Sequence, residues 1–354
     1  MSSESYTFTF IENPMSYNKD GRTITFTNGE IAPCTYSELK ELKSNTPVAV
    51  KLRMYGTTIK DTSVADIAIG SRGNVSTILN SPFSSHSIGL IQGGWLPSAL
   101  AAYRTDATLF PDQNFIIDLT RQFKENKNND FFDLFREAPI RINPILFAME
   151  GKKRQSPTEF EIIEQFLFAT QQIQSVLPKA HIISTFDTTL FLNFSRNMHA
   201  EIERSQKFLA KIAPTLSAPV GRRKVKATWQ QILEIAADYC ISQESIILLA
   251  ILSALTVQNG KSPAKKIFKF KYNYRLEDAY NASIDIYWLD LLVKLIELNQ
   301  TQFPVILTAD RNLSLFWSGL NINNFTHDDN GISFSLSPET EVLPPEALEL
   351  WEMT

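Results

Sequence analysis

The chain has 354 residues, 44% of them hydrophobic and 20% charged, with a formal net charge of −4. That is enough apolar material for a sizeable core and about two domains, and it excludes a disordered chain or one whose overall charge alone calls for nucleic acid. Two cysteines, Cys34 and Cys240, and four scattered histidines exclude a disulfide framework and make a cysteine- or histidine-built zinc site a poor match, a usage that fits a reducing cytoplasm.

At the N-terminus, residues 1–6 lack a basic segment followed by an apolar one, so no signal peptide is expected. Residues 7–11 and 22–27 alternate in period two and are rich in Thr, Ile and Phe, which predicts strands, with a turn at Asn28-Gly29. A short helix is expected at 36–43 and a strand at 48–55, whereas 81–94, rich in Ser and Gly, reads as a loop. Residues 1–96 thus form a small α+β region, the expected surface for a second copy of the chain or a partner protein.

From Pro97 the pattern changes. Residues 98–104 read as a helix, and Asn114 to Leu119 as a strand closed by Asp118. Residues 120–135 are a helix or loop broken by the polar stretch 124–130. A long helix over 158–176 starts at Ser156-Pro157-Thr158-Glu159, with Pro near the first turn and acids after it. Residues 181–187 are a strand or a helix start. Helices follow at 198–212, 228–239, 244–257 and 276–298, then a strand at 305–308 and an acidic tail over 326–354. The stretch 246–257 is the most apolar, but it falls short of the about 20 residues a bilayer requires, so it reads as a buried helix and no membrane partner is expected. Element order predicts an α/β fold: a small parallel sheet wrapped by helices over 97–325, with the smaller α+β region before it.

Four acids stand out. Asp118 closes Phe115-Ile116-Ile117-Asp118, and Asp310 closes Val305-Ile306-Leu307-Thr308-Ala309-Asp310. Strand-end carboxylates on neighbouring parallel strands converge at one sheet edge, where α/β proteins bind ligands, although Asp also caps helices well. Glu150 ends an apolar run and precedes Gly151, Lys152, Lys153 and Arg154; a surface glutamate paired with those cations is the plainer reading. Asp285 interrupts an apolar helix and shares a face with Asp278 and Asn281; burial of such a group alone is costly, so it needs a partner. Glu159, Glu164 and Asp290 are weaker candidates. Clustered carboxylates match a hard divalent cation, Mg²⁺ or Mn²⁺.

Basic clusters fit a polyanionic partner: Lys152-Lys153-Arg154, Arg222-Arg223-Lys224, and the segment from Lys261 to Arg275, where cations interleave with Phe268, Phe270, Tyr272 and Tyr274. Arg311 stands next to Asp310. The alternative is a solvated segment whose aromatics point into the core.

A strand ending in Asp, a Glu on a following helix, an Asp on a late helix and a final strand with Thr-x-Asp before a short helix resemble the PIN-domain nucleases. The resemblance covers roughly 97–325. It implies that Asp118, Glu150, Asp285 and Asp310, with Thr308 in support, bind Mg²⁺ or Mn²⁺ and hydrolyse RNA. Helix spacing adds Asp278 as a further candidate metal ligand, and the local cations Lys152, Lys153, Arg154, Arg222, Arg223, Lys224, Arg275 and Arg311 are the candidate contacts to the polyanion. The wide separation of Asp118 from Asp310 then requires an insertion, placed at 207–271. Two other classes compete. One is a non-catalytic α/β interaction protein. The other is a phosphohydrolase of the haloacid dehalogenase kind, for which Ile116-Ile117-Asp118-Leu119-Thr120 lacks the second Asp. No GxxxxGK[ST] phosphate loop is present.

Overall fold

The computed structural model describes residues 7–11, 22–27, 29–42, 48–81, 87–102, 104, 106–124, 139–151, 154–183, 188–257, 261–298, 302–328 and 331–352. The first sheet comprises β1 (Thr7–Ile11), β2 (Thr23–Thr27), β3 (Glu30–Ile31), β4 (Val48–Thr62) and β5 (Arg72–Ser81). Its order is β1-β2-β4-β3 with β5 also on β4, antiparallel throughout. Helix α1 (Tyr36–Glu41) follows β3 and opens on a capping box between Thr35 and Glu38. An antiparallel sheet with one short helix thus precedes the central sheet, while residues 88–96, grouped with it in the sequence reading, belong to the central sheet instead.

The chain then enters the central sheet through β6 (Ile88–Ile91) and β7 (Gly94–Pro97), passes α2 (Ser98–Ala102), and returns as β8 (Ala107–Pro111). Helix α3 (Gln113–Lys124), β9 (Arg141–Ile142), α4 (Ile145–Glu150), α5 (Glu159–Val176) and β10 (His181–Ile182) follow. A helical block comes next: α6 (Thr188–Leu216), α7 (Val225–Asp238), α8 (Ile246–Thr256), α9 (Pro263–Phe268) and α10 (Leu276–Leu298). The chain ends with β11 (Phe303–Thr308), α11 (Arg311–Leu320), the hairpin β12 (Ile322–Asp328) and β13 (Gly331–Leu336), and α12 (Pro345–Trp351).

The central sheet has six strands in the order β10-β9-β8-β11-β6-β7. The first four run parallel, and β6 and β7 are antiparallel additions on the β11 side. The sheet is therefore mixed, whereas element order alone points to a parallel one. Strands β6, β7 and β8 are buried at every position, as expected of a sheet covered on both faces. Helix α8 is buried from Ile246 to Leu255, which explains its apolar circumference. Among the described residues no helix is long and apolar enough to cross a membrane.

Three local expectations are corrected. Residues 114–119 are not a strand but the first turns of α3. Phe115, Ile116 and Leu119 are buried while Ile117 is 48% exposed, which is helical spacing, and Asp112 caps the start. The stretch 81–94 is not a plain loop: it contains β6, turns at Leu90↔Trp95 and Ile91↔Gly94, and supplies β11 with its antiparallel neighbour. Within the acidic tail, Val342, Leu343 and Ala347 are fully buried, and Glu341 pairs with Lys40 at 2.6 Å, so this segment packs on the body. Most of the segment 120–135, beyond Lys124, lies outside the described residues.

Candidate functional site

Two adjacent parallel strands deliver the first acids. β8 ends at Pro111 and β11 at Thr308, and the register sets Pro111 against Leu307. Asp112 and Asp310 therefore leave the sheet side by side at its carboxyl edge, where the topology of α/β sheets opens a crevice. Each also starts a helix. Asp112 accepts the Phe115 N–H at 2.7 Å; Asp310 Oδ1 accepts the N–H groups of Asn312 at 2.7 Å and Leu313 at 2.9 Å. The buried Thr308 hydroxyl accepts the Asp310 N–H at 3.0 Å and donates to the Asp112 carboxyl. Thr308 thus clamps the two strand ends together.

Glu150 arrives from the next parallel strand. After β9, the short α4 buries Ile145 to Met149 and presents Glu150 at its last position. Glu150 Oε2 accepts the Gln113 N–H at 3.1 Å, and the Glu150 carbonyl accepts the Tyr280 hydroxyl at 2.7 Å. Gly151 then turns the chain at φ 74°, and a Cβ there would stand 2.5 Å from the Gln155 carbonyl oxygen. Only glycine fits both the angle and the space.

Asp285 completes the group from α10. Its carboxyl makes no hydrogen bond and no ion pair among the described residues, and it stands among Asp310, Glu150 and Asp112. The four acids share a cleft of about 360 Å³ with Thr308 and Trp288.

The electrostatics follow from burial and mutual repulsion. Burial pushes Asp285 well above the ordinary carboxylate range, with Asp310, Glu150 and Asp112 adding to the rise and Lys269 opposing it. Glu150 is pushed up to about 8 by burial and then by Asp112, against the Gln113 N–H. Asp112 is pushed up to about 6 by burial, against its bonds to Thr308, Phe115 and Ala309. These groups resist ionising together unless a positive charge joins them. All are hard oxygen donors of the kind Mg²⁺ and Mn²⁺ take. Among the described residues no three His, Cys, Asp or Glu side chains are gathered tightly enough to cage an ion on their own. A cation held here would take one or two carboxylates and complete its shell with water or substrate oxygen, which is the usual habit of Mg²⁺.

Of the residues singled out in the sequence, Glu150, Asp285 and Asp310 meet in this cleft. Asp118 does not. It lies on α3, pairs with Arg121 three residues on at 2.8 Å, and is absent from the cleft lining. The residue in its place is Asp112. Its signal was legible in Ala107-Thr108-Leu109-Phe110-Pro111-Asp112, a β-prone run ended by Pro-Asp and followed by apolar residues at helical spacing. Asp278 also lines the cleft, but its carboxyl is already engaged. It is paired with Lys271 at 2.8 Å and holds the Arg275 N–H at 3.0 Å, and Lys271 first of all keeps its carboxyl below the usual range.

The cations divide similarly. Arg154 lines the cleft; Lys152 and Lys153 lie outside the described residues. Arg222, Arg223 and Lys224 form an exposed 3₁₀ turn before α7 and do not line it, nor does Arg275. Arg311 is committed elsewhere: its guanidinium donates to the carbonyls of Leu39 at 3.0 Å and Lys40 at 2.9 Å, satisfying the end of α1. Lys269 and Lys271, from the same basic segment as Arg275, do reach the cleft. The aromatics of that segment mostly face inward: Phe268 and Tyr274 are buried, and only Tyr272 stands out, at 82% exposure.

Compared with protein-family models, curated proteins and solved structures, the chain gives no match.

Proposed function

We propose that the protein is a divalent-metal-dependent nuclease that hydrolyses phosphodiester bonds of RNA, with Asp112, Glu150, Asp285 and Asp310 as the acidic set. The observation that carries this reading is the Asp285 carboxyl. It has no protein partner among the described residues, and three other acids line the same cleft. A structural acid would be expected to find a donor; a ligand-holding acid keeps its oxygens available.

The donor set supports Mg²⁺ or Mn²⁺ held by Asp285 and Asp310, with Asp112 and Glu150 completing the site. When bound, such an ion supplies Lewis acidity toward a phosphate oxygen and lowers the pKa of attacking water. The chain's own residues do the rest. The Thr308 hydroxyl and the first N–H groups of α3 and α11 hold Asp112 and Asp310 in fixed orientations. Asp310 Oδ1 takes both N–H bonds, which leaves Oδ2 for the ligand. The Gln113 N–H engages one Glu150 oxygen and leaves the other. The Glu150 oxygen left over from the Gln113 N–H faces the cleft, where it is placed to take up a proton from water. With Asp112 in place of Asp118, the resemblance to the PIN-domain nucleases keeps its pattern: strand, Asp, helical Glu, late helical Asp, Thr-x-Asp.

The test is a cleavage assay on single-stranded and structured RNA with Mg²⁺, Mn²⁺ or EDTA. Cleavage with either ion that is lost in EDTA and in Asp285→Asn and Asp310→Asn supports the reading. Cleavage that persists in EDTA or in both variants contradicts it, and absence of cleavage together with absence of ion binding moves the assignment to an interaction protein.

A further inference from the structure

Lys269 sits in an unusual place for a lysine. It ends α9 with φ 52° and ψ 41°, in the left-handed region. That C-terminal position is ordinarily filled by Gly or Asn, because a side chain with a full Cβ crowds its own carbonyl there. Backbone preference therefore gives no reason for lysine. Arg154, the other cleft-lining cation without an ion pair among the described residues, also sits at positive φ, 53°.

The turn cannot relax to relieve the crowding. The Lys269 N–H donates to the Lys265 carbonyl at 3.0 Å. On one side Phe268 is buried; on the other Phe270 stacks on Phe268 with centroids 4.9 Å apart and meets the Tyr274 ring edge-on at 5.4 Å. The Tyr274 hydroxyl closes the loop onto the Phe268 carbonyl at 2.9 Å. Aromatics that sequence spacing casts as base-stacking groups are thus the frame that aims Lys269.

Its side chain is exposed, lines the cleft, and is the cation whose charge is felt at Asp285. Lys271, two residues on, is already neutralised by Asp278. An ammonium that lines the cleft with four carboxylates and, among the described residues, pairs with none of them is positioned for an anion brought in from outside. We infer that Lys269 binds a backbone phosphate of the substrate at the carboxylate cleft. This rests on the nuclease reading and adds to it the residue that orients the polyanion over the acids.

The test uses the full chain with Lys269→Asn and Lys269→Arg. Asn tolerates left-handed backbone, so the Asn variant should unfold at the same temperature as wild type or higher, and should keep the wild-type stabilisation by Mn²⁺. Binding of a fluorescent 12-nucleotide single-stranded RNA, read by anisotropy in Ca²⁺, should weaken by about tenfold in Lys269→Asn. Its slope of log affinity against log salt should fall by about 1, and Lys269→Arg should restore both. Wild-type affinity and salt slope in Lys269→Asn, with the Mn²⁺ shift intact, overturn the role of Lys269 and leave the nuclease reading standing. Loss of the Mn²⁺ shift in Lys269→Asn also overturns it, since the residue then serves the metal site. Absence of both Mn²⁺ stabilisation and RNA binding in wild type overturns both readings.

Discussion

The Tyr280 hydroxyl donates to the Glu150 carbonyl across 2.7 Å. This one bond fastens α10, which carries Asp285, to the end of α4, which carries Glu150. Tyr280 is 2% exposed and the bond is part-buried, so its loss leaves a partly shielded carbonyl short of a donor. Tyr280→Phe should cost about 1 kcal/mol of stability. The variant should also bind Mn²⁺ more weakly than that loss alone explains, because the two acids are no longer held in one frame. Urea unfolding and calorimetric Mn²⁺ titration of the pair check this.

Metal-free stability should fall as pH rises. Glu150 and Asp112 have folded-state values, about 8 and about 6, above their ordinary ones of 4.5 and 3.8. Between those limits the folded chain binds more protons than the unfolded chain, so stability declines with pH. The contribution is full below about pH 4 and is lost as pH rises through about 8, an effect of the order of a few kcal/mol. Saturating Mg²⁺ should flatten the slope, because it favours the ionised acids. Urea unfolding at pH 5, 6.5 and 8, in EDTA and in Mg²⁺, reads both parts; a rise in metal-free stability over that interval would contradict the electrostatics.

Asp112 and Asp118 make opposite predictions. Asp118→Asn removes an exposed pair with Arg121 and should change stability by less than about 0.5 kcal/mol with cleavage intact. Asp112→Asn keeps a helix-capping residue and should fold, yet RNA cleavage should drop by at least about a hundredfold if the acid serves the chemistry. The two variants run side by side distinguish a cap from a ligand.

Gly151→Ala places a Cβ against the Gln155 carbonyl at a left-handed turn. It should destabilise the fold by about 1–3 kcal/mol. It should also lower cleavage, since Glu150 precedes it directly. Thermal unfolding and the RNA assay measure the two effects.

Arg311→Ala tests a structural assignment. Its guanidinium satisfies the Leu39 and Lys40 carbonyls, so the variant should lose about 1–3 kcal/mol while RNA affinity at matched folded fraction stays at the wild-type value. A selective loss of affinity would return Arg311 to the substrate.

Much of the site was legible in the sequence, and the reasons for the rest are local. Asp285 interrupts an apolar helix and Asp310 ends an apolar run, which marks both as candidates in the sequence, whereas Glu150, followed by Gly151 and three cations, reads more plainly as a surface acid. Asp112 is hard to single out because Phe115-Ile116-Ile117 is too short a run to separate strand from helix by periodicity, and because Pro111 obscures the strand before it. The β6–β7 hairpin escaped for a different reason: Ile88 to Ile91 is buried on both faces and shows no alternation. Lys271 pairing with Asp278, and Arg311 reaching back to α1, depend on chain folding across long separations that spacing does not encode. The basic segment is legible as a cation-rich stretch, but which of its cations face the cleft depends on the aromatic frame around Lys269.

The central claim is that Asp285 waits for a divalent cation, and Mn²⁺ titration of wild type and Asp285→Asn, followed by thermal unfolding, tests it most directly. The account predicts that Mn²⁺ raises the wild-type melting temperature, as a ligand of the folded state must. In Asp285→Asn it predicts little or no Mn²⁺ effect and a metal-free melting temperature at or above that of wild type, since one member of a repelling set is gone. An equal Mn²⁺ shift in both proteins, or none in either, would contradict it.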